Sequence, residues 1–152
     1  MRTLLLVFLG SFLLFSCQPV QEKVETEITK EIVKAKDGVF IHVKSGIDHP
    51  HEVLMALSMA NKMSETQDVI LYFDIKGIEV VLKDSPDINY SHFPSSHTAL
   101  KSLMGKGIII MACPGCLKAA EKTPEDLMEG IQVANKDNFF NFTEGRILTI
   151  DY

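Results

Sequence analysis

No run of lysine and arginine occurs anywhere in this sequence, and acidic side chains outnumber basic ones 20 to 15, a formal charge of −5. The positive footprint that phosphate-backbone binding requires is missing, so nucleic acid is not an expected partner. A Gly-rich phosphate loop is absent, as are a nucleophile elbow with Ser, His and Asp in order and any paired-carboxylate signal. There are no internal repeats and no low-complexity tracts. The one long apolar run, at the start, is too short for a comfortable membrane span. Cysteine is scarce, with three in the chain. What is present is the composition of a folded protein, 46% apolar and 23% charged, in 152 residues that leave no room for a second full domain.

The apolar run identifies the first segment as an address. Met1, Arg2 and Thr3 form a short positive head, and Leu4 to Phe15 supply an apolar stretch of about a dozen residues, the proportions of a secretory leader. Ser16 stands directly before Cys17, with Leu14 further back, which resembles a bacterial lipobox cut before the cysteine, although Phe15 stands where a small residue is usual. Residues 1–16 are thus expected to be a signal peptide. Cys17 is expected to be the lipidated N-terminus, holding the protein on a membrane of the cell envelope, facing the periplasm or exterior. Each acyl methylene buried in the bilayer contributes about 0.8 kcal/mol, so several chains anchor a domain without spanning. Residues 17–36, polar with scattered valine and isoleucine, read as a tether.

From residue 37 onward the pattern alternates between strand and helix. Short, β-branched or continuously apolar runs at 39–44, 68–73 and 107–112 predict buried strands, with further strands at 131–134 and 146–150. Pro50 followed by Glu52 and the series Val53, Leu54, Leu57, Ala60 predicts a helix to about residue 64. More helices are expected over 98–104, from Leu117, over 123–128 and over 137–142, while 78–82 is ambiguous and 84–97 is a long polar loop. The expected domain, 37–152, is α/β, with five strands in one mostly parallel sheet and helices on both faces.

With Cys17 assigned to the anchor, Cys113 and Cys116 are the remaining thiols, in a Cys-Pro-Gly-Cys turn between the third strand and a helix. Ligand and reaction sites of open α/β sheets lie at this carboxyl edge. A thiol at a helix start has its thiolate stabilised, and since the helical run was expected from Cys116, that residue reads as the nucleophile and Cys113 as the resolving thiol. The pair can equally be a structural bridge, although so short a loop gains little from one, or half of a metal site. His49 and His51 follow the first strand, and with the cysteines they form an acceptable ligand set for zinc or copper(I). Otherwise no cofactor is expected, and such histidines more often line a site without metal. Met55, Met59 and Met63 read as a core stripe, and His42 as a satisfied strand histidine.

The turn Gly46-Ile47-Asp48-His49-Pro50-His51, the strand at 69–73, the segment Ile108 to Ala120 through the cysteines and the following Thr-Pro-Glu-Asp-Leu-Met-Glu-Gly-Ile resemble the DsrE/DsrF-like family of small sulfur-handling proteins over residues 37–152. The resemblance implies a single flavodoxin-like three-layer domain, a homo-oligomer (trimer or hexamer), and a cysteine after the third strand that carries persulfide sulfur. That role falls on Cys113 and Cys116 jointly. Its partners would be a sulfur donor and acceptor, or a redox protein. The expected function is therefore thiol chemistry by a membrane-anchored protein, with soft-metal or small-ligand binding as the alternative.

Overall fold

The computed structural model describes residues Lys34–Tyr152, so the expected leader, the Cys17 anchor and all of the tether before Lys34 lie outside the described residues. Five strands, β1 (Gly38–Val43), β2 (Asp68–Phe73), β3 (Ile109–Ala112), β4 (Gln132–Val133) and β5 (Ile147–Asp151), form one sheet in the order β4-β3-β2-β1-β5. Every pairing is parallel. Helices α1 (Pro50–Met63), α2 (Ser96–Gly105) and α3 (Pro114–Ala119) connect successive strands. The α/β class, the five strands and the parallel sheet are as the sequence predicts, but the α-helices of the described residues all lie between β1 and β4, and none forms between β4 and β5 to cover the second face as expected. Among the described residues no helix is long and apolar enough to cross a membrane.

The strand order decides what covers each face. Parallel crossovers are right-handed, so the three connections that step from β1 to β4 in one direction all lie on one face. The return from β4 to β5 must cross the other. On the first face Ile41, Val43, Leu71, Phe73 and Ile110 meet Leu54, Leu57, Leu100 and Leu103 from the helices, all almost completely buried. Met59 and Met63 pack against this core, as their spacing suggests, whereas Met55 of the expected stripe is only partly buried and lies outside it.

The second face is built differently. Phe40, Ile70, Met111 and Ala134 are buried there, with Tyr72, Ile109, Phe139 and Phe142 partly buried around them. The cover comes from residues 135–146, where a helix over 137–142 was expected and turns are found instead. Asparagine explains the difference. The Asn141 side-chain amide donates to the Asp137 carbonyl at 2.5 Å, taking the acceptor that the Asn141 backbone N–H would use in a helix. Phe139 then turns inward, 5.1 Å from Phe40 and edge-on to Tyr72 at 4.8 Å.

A second departure lies at 123–128. The Thr123–Asp126 capping box forms, but only the 3-10 turn Pro124–Asp126 follows. Leu127 is buried and forms an antiparallel bridge with Leu82, and Met128 N–H donates to the Val81 carbonyl at 3.0 Å, so tertiary pairing diverts the chain before a helix can continue. The ambiguous stretch near 78–82 is a buried 3-10 turn, Gly77–Val81.

Candidate functional site

Alternation along the strands carries polar residues to the carboxyl end of the second face. His42 is in register with Tyr72 on one side and Asp151 on the other. Residues two apart share a face, so Asp74 follows Tyr72 and Cys113 follows Met111. The Cys113 N–H donates to the Phe73 carbonyl at 2.9 Å, which fixes the cysteine turn beside the end of β2.

The helix after β3 begins at Pro114, earlier than the sequence suggests, and this moves the cap from Cys116 to Cys113. Cys113 Sγ accepts the Cys116 backbone N–H at 3.3 Å. Burial pushes the Cys113 thiol up, but the Cys116 thiol, the Tyr72 hydroxyl and the N–H groups of Cys116 and Gly115 more than offset it, leaving Cys113 below the ordinary thiol range. Six residues make a weak dipole, so these converging donors, not the helix as a whole, stabilise the thiolate. Cys116 goes the other way. Burial and the neighbouring Cys113 raise it, against one favourable bond from the Ile75 N–H at 3.1 Å, and Asp74 adds to the rise. The expected ranking, with Cys116 as the readier thiolate, is therefore reversed in the electrostatics of the turn. Both thiols are free and half-buried.

Tyr72, Asp74 and Ile75 were not singled out by the sequence reading. Burial, then the approach to Cys113, raises the Tyr72 hydroxyl far above its usual value, so it remains a donor. Its signal in the sequence is a polar tip at the end of an otherwise apolar strand. Ile75 is β-branched yet sits at φ 49, a strained conformation of order 1–3 kcal/mol, and is 61% exposed beside the cysteines. The turn is held by Gly77, where a Cβ would meet the Val43 carbonyl oxygen at 2.1 Å. An open hollow of about 530 Å³, lined by Tyr72, Pro114, Ala134, Lys136, Phe139 and Phe140, lies against the cysteine turn.

His49 and His51 are not brought together with the cysteines as one ligand set. His49 is at the cap position of α1, with Glu52 at 3.6 Å and Asp48 at 3.9 Å. His51 stacks on Tyr90 at 4.8 Å, within the long loop, and lies near Phe93. Among the described residues no group of three or more His, Cys, Asp or Glu side chains is placed to hold a metal ion. Sequence reasoning assumed that ends of neighbouring strands imply neighbouring side chains, whereas aromatic stacking and carboxylate contacts draw both rings elsewhere. His42, expected to be a satisfied strand histidine, lies between two carboxylates, with Nδ1 2.7 Å from Asp151 Oδ1 and Nε2 2.8 Å from Asp74 Oδ2. The second contact does not have hydrogen-bond geometry, so Nε2 is left without a hydrogen-bond partner.

No family model matches the chain, and no curated protein matches it. Solved structures do. The YchN protein from E. coli aligns with a TM-score of 0.52 at 12% identity, covering 76% of this chain and 99% of that one. A protein of unknown function, MTH1491 from Methanobacterium thermoautotrophicum, aligns with a TM-score of 0.48 at 23% identity, covering 66% of this chain and 82% of the other. At such identity the likeness to YchN speaks for the fold alone, an α/β domain around one five-stranded parallel sheet.

Proposed function

We propose that this chain is a sulfur-relay-type thiol protein of the cell envelope in which Cys113 is the attacking and carrying thiol and Cys116 the resolving one. The observation that carries this reading is the place of Cys113 at the start of α3, where its Sγ accepts the Cys116 backbone N–H at 3.3 Å, in surroundings that lower its thiol. A thiolate so placed attacks the outer sulfur of a persulfide donor R–S–SH, forming Cys113–S–SH and releasing R–S⁻. An acceptor thiolate then takes the outer sulfur and regenerates Cys113. Alternatively, Cys116 attacks Cys113 Sγ, displaces HS⁻ and closes a disulfide that a thiol partner must reduce. The same steps serve disulfide exchange when R′S replaces the outer sulfur. The open hollow lined by Tyr72 and Pro114, neighbours of Cys113, offers room for a donor or acceptor to approach.

In this reading the leader exports the chain and Cys17 anchors it, so donor and acceptor meet it at a membrane surface, and copies assemble as a trimer or hexamer. The test is intact mass after treatment with polysulfide. An added mass of about 32 Da that dithiothreitol removes, retained in Cys116→Ser and lost in Cys113→Ser, supports the assignment. Loss in Cys116→Ser alone would reverse the roles, and no adduct in Cys116→Ser, where nothing can resolve it, or in Cys113→Ser would remove sulfur carriage.

A further inference from the structure

The resolving thiol presents a difficulty that Cys113 does not. Cys116 is half-buried, and its surroundings hold it in the protonated form, so a base has to take its proton when it attacks. The neighbouring side chains supply one. Ile75, whose N–H donates to Cys116 Sγ at 3.1 Å, is preceded directly by Asp74. The Asp74 side chain is 17% exposed, its Oδ2 is 2.8 Å from His42 Nε2, and its Oδ1 is buried with no hydrogen-bond partner. A carboxylate oxygen taken out of water and left unpaired is costly unless it is used. His42 is itself held through Nδ1 by Asp151, and Lys44 lies 3.6 Å from that carboxylate. Tyr72 packs against the His42 ring, with centroids 5.6 Å apart. His42 is therefore in contact with Asp74, Tyr72 and Cys116 are near enough to feel its charge, and Asp151 and Lys44 lie one contact further out.

We propose that Asp74 is the proton acceptor for Cys116, directly or across one water, and that His42, braced by Asp151, is the positioning residue that keeps the free Asp74 oxygen turned toward the thiol. This rests on the thiol reading of the preceding subsection. The step balances without an external oxidant. In the mixed disulfide Cys113–S–S–R, the Cys116 S–H bond breaks and its proton goes to Asp74. The Cys116 thiolate attacks Cys113 Sγ, the Cys113–SR bond breaks, and the bond's electron pair leaves with R–S⁻. Asp74 returns its proton to solvent or to that leaving thiolate. Cys113 and Cys116 end as a disulfide and R leaves as a thiol or thiolate.

Two opposing effects make this testable by sign. As a fixed negative charge alone, Asp74 disfavours the Cys116 thiolate, and its removal would speed resolution. As the base, its removal would slow it. The probe is dithiobis-nitrobenzoate, whose coloured thiolate is released once when Cys113 is modified and again when Cys116 resolves the adduct. It is applied to the full chain in detergent with Cys17→Ser, so that the pair are its only thiols. Asp74→Asn is expected to leave the first release within about threefold and to slow the second about tenfold or more near neutral pH. Asp74→Glu should recover part of that loss, and His42→Gln should move the pH dependence of the second release without changing the first. A second release that is unchanged or faster in Asp74→Asn overturns the inference, with the intact first release certifying the fold. No second release from the native pair, or none that depends on Cys116, would instead remove the resolving role of Cys116 from the thiol reading and this inference with it, and no first release that depends on Cys113 would sink the thiol reading itself.

Discussion

The two faces of the sheet are packed by different rules. The first is covered by helices whose leucines and valines interlock with alternate strand residues, and it contains no ionisable group in its buried core. The second is covered by a turn-rich segment that leaves Phe140 60% exposed, and its carboxyl end gathers His42, Tyr72, Asp74, Cys113 and Asp151. One face provides stability through apolar burial. The other carries the groups that would be expensive to place in such a core. The polar groups sit where the cover is thin because the single crossover to β5 has a whole face to span.

The comparison is broken most strongly by core truncation. Leu57→Ala on the first face, where the side chain is 1% exposed, is expected to cost about 2–5 kcal/mol in urea denaturation, whereas Phe140→Ala on the second should cost about 0.5 kcal/mol or less. Equal costs would mean that the second face is no less a core than the first. The turn that joins the faces gives two effects of opposite sign. Gly77→Ala drives a Cβ into the Val43 carbonyl and should lose about 1–3 kcal/mol, while Ile75→Gly relieves a positive φ at an exposed position and should gain about 1 kcal/mol by the same measurement.

Tyr72→Phe separates reactivity from stability. Removing one donor should raise the Cys113 thiol and slow its alkylation at neutral pH by about three- to tenfold, with a stability change of no more than about 1 kcal/mol. The smallest effect is at the amino end of the strands, where hydrogen bonds from Arg146 lower the Asp37 carboxyl to about 2. Since the folded value is depressed, the contribution is fully present above the ordinary carboxylate range and is lost as pH falls through it toward about 2. Urea midpoints should therefore fall on acidification in the native chain, and the fall should be slightly shallower in Arg146→Ala. An identical slope would show that this exposed pair contributes nothing.

The first face was legible in the sequence because its information is local. Near-continuous apolar character in 39–43 and 69–73 marks buried strands, and the spacing of Val53, Leu54, Leu57 and Ala60 marks the helix that covers them. The cysteine turn was legible as well, since its residue types and its place after a strand suffice. What could not be read depends on register and on competition between bonds. That His42 faces both Asp151 and Asp74 follows from strand order, which brings together residues 109 positions apart. The helices expected over 123–128 and 137–142 fail because Leu127 pairs with Leu82 and because the Asn141 side chain takes the Asp137 carbonyl. The ranking of the two thiols turned on where α3 begins, a shift of a few residues that propensity does not resolve.

The central claim is that the cysteine turn at the carboxyl edge of the sheet makes Cys113 the readier thiolate and keeps Cys116 protonated. Site-resolved alkylation with iodoacetamide, followed by peptide mass from about pH 5 to about pH 10, tests it directly. The expected result is modification of Cys113 at a midpoint below that of an ordinary thiol, with Cys116 following only at clearly higher pH. Coincident midpoints, or Cys116 reacting first, would contradict it.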